Sequence, residues 1–418
     1  MKINLTYIFH WLLIFGLILT SSKSSNIANS DITLVTLFLV SCLIFRYNKL
    51  KPDKGILIFT YIYISLTAFY LFQFGWINFT ATTRTYIKIM YGYLTIKIVG
   101  PYFFNYFEDV VYKLSIISLP LFIIQYFMPL EMYKWNSFLE PVVSAPIFMD
   151  MKASSNSILF TVNASAFNRN AGFMWEPGGF GAILSLAMAF NLILNQFNIL
   201  NRRFILLFIC LITTYSTTAY INMLFIGLFF LVNSNKKYHF LLIPALISLS
   251  FLVYNLNNGY NKVDEAFTLR NEHIQYDYLY AKNLDFISIG RFGSFIVDFN
   301  DVQKKPFLGY GLQFTERTQS QFISIVRANG LSDYMATFGF IGILFLIINL
   351  KKTINSLKSI IPFKGAWILV FSILLSSFSN PVLLLPLFLS FQSYHVAVKQ
   401  FIPDADKIND DEAVVIPV

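Results

Sequence analysis

Apolar residues in this chain run in long blocks, and the spacing of the blocks predicts its elements. Blocks of spanning or near-spanning length fall at about 5–20, 31–46, 55–75, 83–103, 111–129 and 178–197. Others follow at about 203–216, 218–233, 239–255, 331–350, 363–379 and 381–398. A helix needs ~20 apolar residues to cross a bilayer, with ~17 as the short end. The blocks 203–216 and 218–233 are marginal by that measure, and the polar run TTYSTTAY (213–220) sits where they would turn as one hairpin. The pattern predicts an all-α integral membrane protein with about twelve transmembrane helices, in a range of ten to thirteen, over residues 1–401. The first block resembles the core of a signal peptide, but SSKSSNIANSD after it offers no small-residue cleavage pattern, so it is expected to be retained.

Polar passages matter as much as the blocks they separate. Two are long, 130–177 and 256–330. The second carries eight Lys/Arg (Lys262, Arg270, Lys282, Arg291, Lys304, Lys305, Arg317, Arg327) against eight Asp/Glu. It also holds Tyr276, Tyr278, Tyr280, Phe286, Phe292, Phe295 and Phe299, more aromatics than a disordered linker carries. A partly helical, folded cap is expected there. The short loops RYNKLKPDK (46–54), NRR (201–203), NSNKK (233–237) and KKTINSLKSIIPFK (351–364) are basic. Twelve spans put all four on one side, which the positive-inside rule makes cytoplasmic, together with both termini. The two long loops then face outward, and the acidic tail 402–418 lies inside.

Composition agrees with the blocks. Of 418 residues 56% are hydrophobic and only 13% charged, against about 25% charged in a soluble domain. The 46 Phe and 24 Tyr suit lipid-facing surfaces and interfacial belts. A net charge of +9 is dispersed through short loops, which points to membrane topology and away from nucleic acid. Cys42 and Cys210 each lie within an apolar block, so neither a disulfide nor a thiol metal site is expected. GxxxxGK[ST], HExxH, CxxC and GxSxG are all missing from the sequence, so no nucleotide, metal or other cofactor is expected.

The remaining chemistry lies in arginines and carboxylates at the outer ends of spans. In NRNAGFMWEPGGFGAIL (168–184), Arg169 and Glu176 flank Phe173 and Trp175 ahead of Pro177. Two readings stand: a catalytic pair, or a carboxylate that starts a helix with an arginine that snorkels to headgroups. In GRFGSFIVDFNDVQKKPFLGYGL (290–312), Arg291 heads a helical pattern, and Gly309 and Gly311 permit close backbone approach. A planar guanidinium suits phosphate oxygens. The plainer reading is an amphipathic helix on the membrane with Arg291 paired to Asp298 or a neighbour. In RANGLSDYMATFGFIG (327–342), Asp333 is either functional or a helix-dipole partner. Arg84 and Lys88, one turn apart at the outer end of their span, either receive an anion or snorkel.

These stretches together resemble the O-antigen polymerase and ligase superfamily of bacterial polytopic glycosyltransferases. The resemblance rests on Arg169, Gly172, Glu176 and Pro177, then Gly290, Arg291, Pro306, Gly309 and Gly311, then Asn329, Gly339 and Gly342. It implies transfer of a glycan from polyprenyl (undecaprenyl) diphosphate to a sugar hydroxyl at the outer face of the inner membrane, with no cofactor. Arg169 and Arg291 would stabilise the departing diphosphate, Glu176 or Asp333 would act as base, and Arg84, Lys88, Gly309, Gly311 and Asn329 would contact substrate. A flippase and a chain-length regulator would be partners. Ala328 stands where ligases carry histidine, and Ser216-Thr217 replaces their Ser-Arg, so the expectation leans to a repeat-unit polymerase over a ligase or a lipid-linked glycan transporter.

Overall fold

The structure, a computed structural model, describes residues 5–139, 154–156, 158–163, 167–234, 286–289, 291–318 and 324–399. It is mostly helical. In order come α1 (Leu5–Ser22), α2 (Asn26–Asn29), α3 (Asp31–Tyr47), α4 (Lys54–Phe74), α5 (Phe79–Val99), α6 (Phe103–Phe127) and α7 (Pro129–Leu139). After a short hairpin of β1 (Ser154–Asn156) and β2 (Thr161–Asn163) follow α8 (Pro177–Leu194), α9 (Arg202–Thr213) and α10 (Thr217–Asn233). The second long polar passage supplies β3 (Phe286–Ile289), α11 (Arg291–Lys304) and β4 (Ser324–Arg327), and β3 pairs parallel to β4. The chain continues through α12 (Gly330–Ile360), α13 (Ala366–Ser379) and α14 (Pro386–Ala397). The expected span 239–255, the 256–285 part of the long loop and the tail 402–418 lie outside the described residues.

Helix starts follow local chemistry. Side-chain oxygens of Ser30, Asn78, Asn201, Ser216 and Asn329 accept from backbone N–H groups in the first turns of α3, α5, α9, α10 and α12. Each satisfies a donor that the helix leaves open. Pro177 opens α8, where a missing N–H costs nothing. α8 is apolar all round and buried from Pro177 to Ile193, as a central helix must be. By contrast α4 exposes Leu57, Ile58, Tyr61, Ile64 and Phe72, the last at 91%. Apolar surface of that extent needs lipid against it. Among the described residues four helical stretches (Lys54–Phe74, Phe79–Phe127, Pro177–Leu194, Gly330–Ile360) are long and apolar enough to cross a bilayer, and α1, α10 and α13 are shorter apolar helices. This is a membrane-embedded protein.

Two boundaries differ from the block pattern for physical reasons, and one passage that the pattern left open is defined. The blocks 203–216 and 218–233 form two helices meeting at the 214–216 turn, and α9, with 12 residues, reaches only ~18 Å. The last block starts as a helix at Pro386, not 381, because Asn380 precedes Pro381 and is held extended at φ −146°, ψ 145°. α12 runs past 350 to Ile360 and is broken at Gly339 (φ 66°, ψ −170°). The break leaves four backbone groups open, and the 306–311 turn fills all four. Phe340 and Ile341 donate to the Pro306 and Phe307 carbonyls (2.8 and 3.1 Å), while Tyr310 and Gly311 donate to the Ala336 and Thr337 carbonyls (3.1 and 2.7 Å). A Cβ on Gly309 would lie 2.5 Å from the Ala336 oxygen, so only glycine permits this approach.

The basic loops gather at one end. Lys97 near the end of α5 is fully buried against Asp53 (2.8 Å), and Arg203 pairs with Glu108 (2.8 Å) at the start of α6. Asn233 exchanges hydrogen bonds with the Lys364 backbone (3.0 and 2.6 Å). Phe229 links that corner to Phe197 and Phe363. Arg84 lies thirteen residues before Lys97 on α5, ~20 Å away along the helix, so it marks the opposite end.

Candidate functional site

At the Arg84 end is a cavity of about 510 Å³ lined by Lys23, Arg84, Lys88, Leu312, Asp333 and Pro381 among others. Arg84 and Lys88 share one face of α5 because four residues make about one turn. Arg84 is anchored: its Nε pairs with Asp31 (2.8 Å) and its Nη2 donates to the Asn29 carbonyl (2.7 Å). Lys88 makes no ion pair among the described residues. Lys23 follows α1 with a left-handed backbone, φ 50°. Its loop is pinned by the Trp175 N–H, which donates to the Ser22 carbonyl (3.1 Å), and its Nζ stands 5.6 Å from the centre of the Trp175 ring. Burial pushes the Lys23 ammonium down to about 8, helped by Arg84 and opposed by Asp333 and Glu176.

A second cluster adjoins the first. Glu176 sits at the N-cap of α8 but its side chain makes no capping hydrogen bond. It accepts instead from the Asn380 carboxamide, oriented by the hydrogen-bond network so that its nitrogen also donates to the Ser379 carbonyl (3.1 Å). Burial raises the Glu176 pKa, and the charges of Arg291, Arg169 and Lys23 work against that rise. Arg169 Nε donates to the Thr214 carbonyl (3.3 Å), and Arg291 Nε to the Ser379 carbonyl (2.9 Å). Each guanidinium is therefore held by a backbone oxygen, and neither forms an ion pair among the described residues. Asn380 and Pro381, between α13 and α14, wall the two clusters. Asn380 packs on Gly178, the Asn380 carbonyl and Pro381 on Gly330, and Pro381 lines the cavity.

Beside the cavity, and sharing Asp333 with it, the charges are closed. Arg317, fully buried, pairs with Asp298 (2.8 Å) and Asp333 (2.6 Å), and Arg327 pairs with Asp298 (2.6 Å) and Asp301 (3.3 Å). Ser332 Oγ donates to Asp298 (2.6 Å), and Thr318 donates backbone N–H to Asp301 (2.9 Å). Arg291 is thus not the partner of Asp298, contrary to the plainer reading of that stretch. The amphipathic α11 buries its acidic face, with Ser294, Asp298 and Asp301 at 0% exposure, and leaves Phe295 and Phe299 about 40% and 39% exposed. Its aromatic face is the outer one.

The structure brings Arg169, Glu176 and Arg291 together, and brings Arg84, Lys88 and Asp333 to the neighbouring cavity. Three sequence candidates fall elsewhere. Asn329 is buried and caps α12 through Leu331 and Ser332 N–H groups (3.1 Å each), while its Nδ2 reaches the Arg291 carbonyl (3.4 Å). Gly309 and Gly311 pack against the break in α12 and Tyr70, and neither lines the cavity. Sequence reasoning passed over Lys23, Arg317 and Asn380. Lys23 had a signal, since a lysine between the first two spans lies on the side where cations are otherwise sparse. Among the described residues no group of three or more His, Cys, Asp or Glu side chains is arranged to hold a metal ion.

No protein-family profile matches the chain, and neither a curated protein nor a solved structure matches it.

Proposed function

We propose that this protein polymerises polyprenyl-diphosphate-linked oligosaccharide repeat units, for O-antigen, capsule or exopolysaccharide, at the outer face of a bacterial inner membrane. On this reading the chain crosses the membrane about twelve times with both termini in the cytoplasm, and the Arg84 end faces outward. The observation that carries it is a cation-lined cavity next to a carboxylate between two arginines, at one end of an apolar helical bundle. A lipid diphosphate supplies its own driving force, so no nucleotide is required. Leaving of the glycan places charge on diphosphate oxygens, and fixed cations at developing charge are commonly the largest catalytic contribution. Arg169 and Arg291 take that role. Glu176, made more basic by burial, accepts the proton of the acceptor hydroxyl, and Asp333, bound to Arg317, is the weaker candidate.

The test is the surface glycan of a deletion strain. A polymerase mutant keeps single repeat units and loses longer chains. Loss of all attached glycan with polymer left on the carrier lipid would assign the chain to ligase-type transfer instead. An unchanged glycan would remove both readings.

A further inference from the structure

We infer that Lys23 is a phosphate-binding residue, held on the Trp175 ring until an anion enters the cavity between it and Lys88. The inference rests on the diphosphate-substrate reading above, but neither α1 nor Lys23 figures in that reading. Four observations carry it. Lys23 lines the 510 Å³ cavity with Arg84 and Lys88, so three cations face one space. It forms no ion pair among the described residues, although Glu176 and Asp333 are near enough to act on its charge. Its ammonium faces the Trp175 ring at 5.6 Å, a contact worth less than a bond to phosphate oxygen. Finally, its backbone is left-handed at φ 50°, a conformation that costs energy in a residue with a Cβ.

Geometry gives Lys23 a task that Arg84 and Lys88 cannot share. Those two project from α5, whereas Lys23 comes from the α1–α2 connection and abuts Trp175, the neighbour of Glu176. An anion held by Lys88 and Lys23 together spans from α5 towards the Glu176 cluster. A ligand with two linked phosphates suits such a path, with one phosphate on the α5 cations and the other on Lys23. Asp333 is paired with Arg317 (2.6 Å) and, although its charge is felt at Lys23, it forms no ion pair with either lysine among the described residues.

Phosphate oxygens also occur on bulk phospholipid headgroups, and the experiment separates the two sources. Full-length protein in phosphatidylcholine nanodiscs is titrated with inorganic pyrophosphate and, separately, with inorganic phosphate, following tryptophan emission. Trp175→Phe identifies the responding ring among the five tryptophans. Withdrawal of the Lys23 ammonium from the ring should change Trp175 emission, with pyrophosphate binding at least tenfold more tightly than phosphate. Lys23→Met should weaken pyrophosphate binding at least tenfold, and Lys23→Arg should stay within about threefold of wild type. Methionine meets the same backbone constraint as lysine, so an unchanged melting temperature separates lost binding from lost fold. Should Lys23→Met misfold, pyrophosphate protection of Lys23 from amine acylation in wild type, read by peptide mass, supplies the same answer.

Pyrophosphate binding that ignores Lys23→Met, or Lys23 acylation unaffected by pyrophosphate, overturns the inference and leaves the proposed function standing. If phosphatidylglycerol nanodiscs alone produce the Trp175 change and pyrophosphate does not compete, the cavity takes a bulk headgroup and the inference also falls. Lys23-dependent binding in a protein whose deletion leaves the glycan intact would sink the polymerase assignment and not this one.

Discussion

Two groups of charge lie side by side at the Arg84 end and share one residue, Asp333. In the lower group Arg317 and Arg327 meet Asp298, Asp301 and Asp333, and every contact is internal. In the upper group Lys23 and Lys88 face an open cavity without ion partners among the described residues. Burial of charge is costly, and a buried ion pair seldom adds stability beyond what apolar residues would give. The lower group therefore fixes geometry: it ties α11, the 317–318 turn and β4 to the first turns of α12. The upper group contributes nothing of that kind, and its cations make sense as receivers of a ligand's charge. Pairing, more than charge itself, separates the framework from the site.

The sharpest way to break that contrast is Arg317→Met. It leaves Asp298 and Asp301 buried with one cation between them, and breaking a buried pair from one side costs about 3–5 kcal/mol. Melting in detergent should fall by many degrees, and protease should cut within the 291–318 segment. Lys88→Met on the cavity side should leave both measurements at wild type. Equal melting temperatures for the two variants would erase the distinction.

Gly309→Ala comes next. Alanine would meet both a left-handed backbone (φ 67°) and the Ala336 carbonyl, which already accepts from Tyr310. Strain plus overpacking amounts to about 2–4 kcal/mol. The lower group should suffer with it, because the 306–311 turn joins α11 to Arg317. Thermal stability reads the loss, and a neutral Gly309→Ala would mean that the turn does not brace α12.

How much of this was legible beforehand divides along the same line. The helices near 5–20, 31–46, 55–75, 83–103 and 111–129 could be read because burial in lipid demands continuous apolar runs. Gly309 and Gly311 could be read as points of close approach, but what approaches is the broken α12, and no local pattern announces a partner 26 or more residues away. Arg317 was one of eight balanced cations in its loop, and balance does not reveal pairing. Its partners lie 16 to 19 residues off in sequence, beyond any helical spacing. The α11 stretch is the amphipathic helix its pattern predicted, but the pattern could not assign the partner of its acidic face. Apolar spacing at Phe295 and Phe299 marks a face without saying whether protein or lipid covers it, and here the protein side is acidic. Arg169, Glu176 and Arg291 could be singled out by type and position. Their convergence depends on Ser379 and Asn380, which look like an ordinary break between two spans.

Arg291, in the Glu176 cluster beside the cavity, tests the site side of the comparison. Among the described residues only its Nε is engaged, with the Ser379 carbonyl, so on the proposed reading the outer edge of the fork meets diphosphate. Arg291→Lys keeps charge and loses two-point geometry, a cost of about 1.5–3 kcal/mol or roughly tenfold to over a hundredfold in rate. Arg291→Ala should be worse, and Lys304→Ala on the same helix mild. Glycan chain length at matched low expression measures the effect, and wild-type chains from Arg291→Lys would reduce Arg291 to a surface charge.

The smallest expected effect belongs to Asp298. Burial raises its carboxyl to about 6, against the pull of Arg317 and Arg327 and with Asp333 adding to the rise. The unfolded value is ~3.9. A folded pKa above the unfolded one means that the protonated carboxyl favours the fold. That contribution is complete below about pH 4 and is lost as pH climbs through 6. Between pH 5 and pH 7 the share lost is about 1 kcal/mol. Asp298→Asn keeps an acceptor for both arginines and removes the titration. Wild type should therefore lose melting temperature relative to Asp298→Asn as pH rises from 5 to 7. Melts of both proteins across that range decide it. A constant difference would show that Arg317 and Arg327 hold Asp298 ionised throughout, and the lower group would then be insensitive to pH.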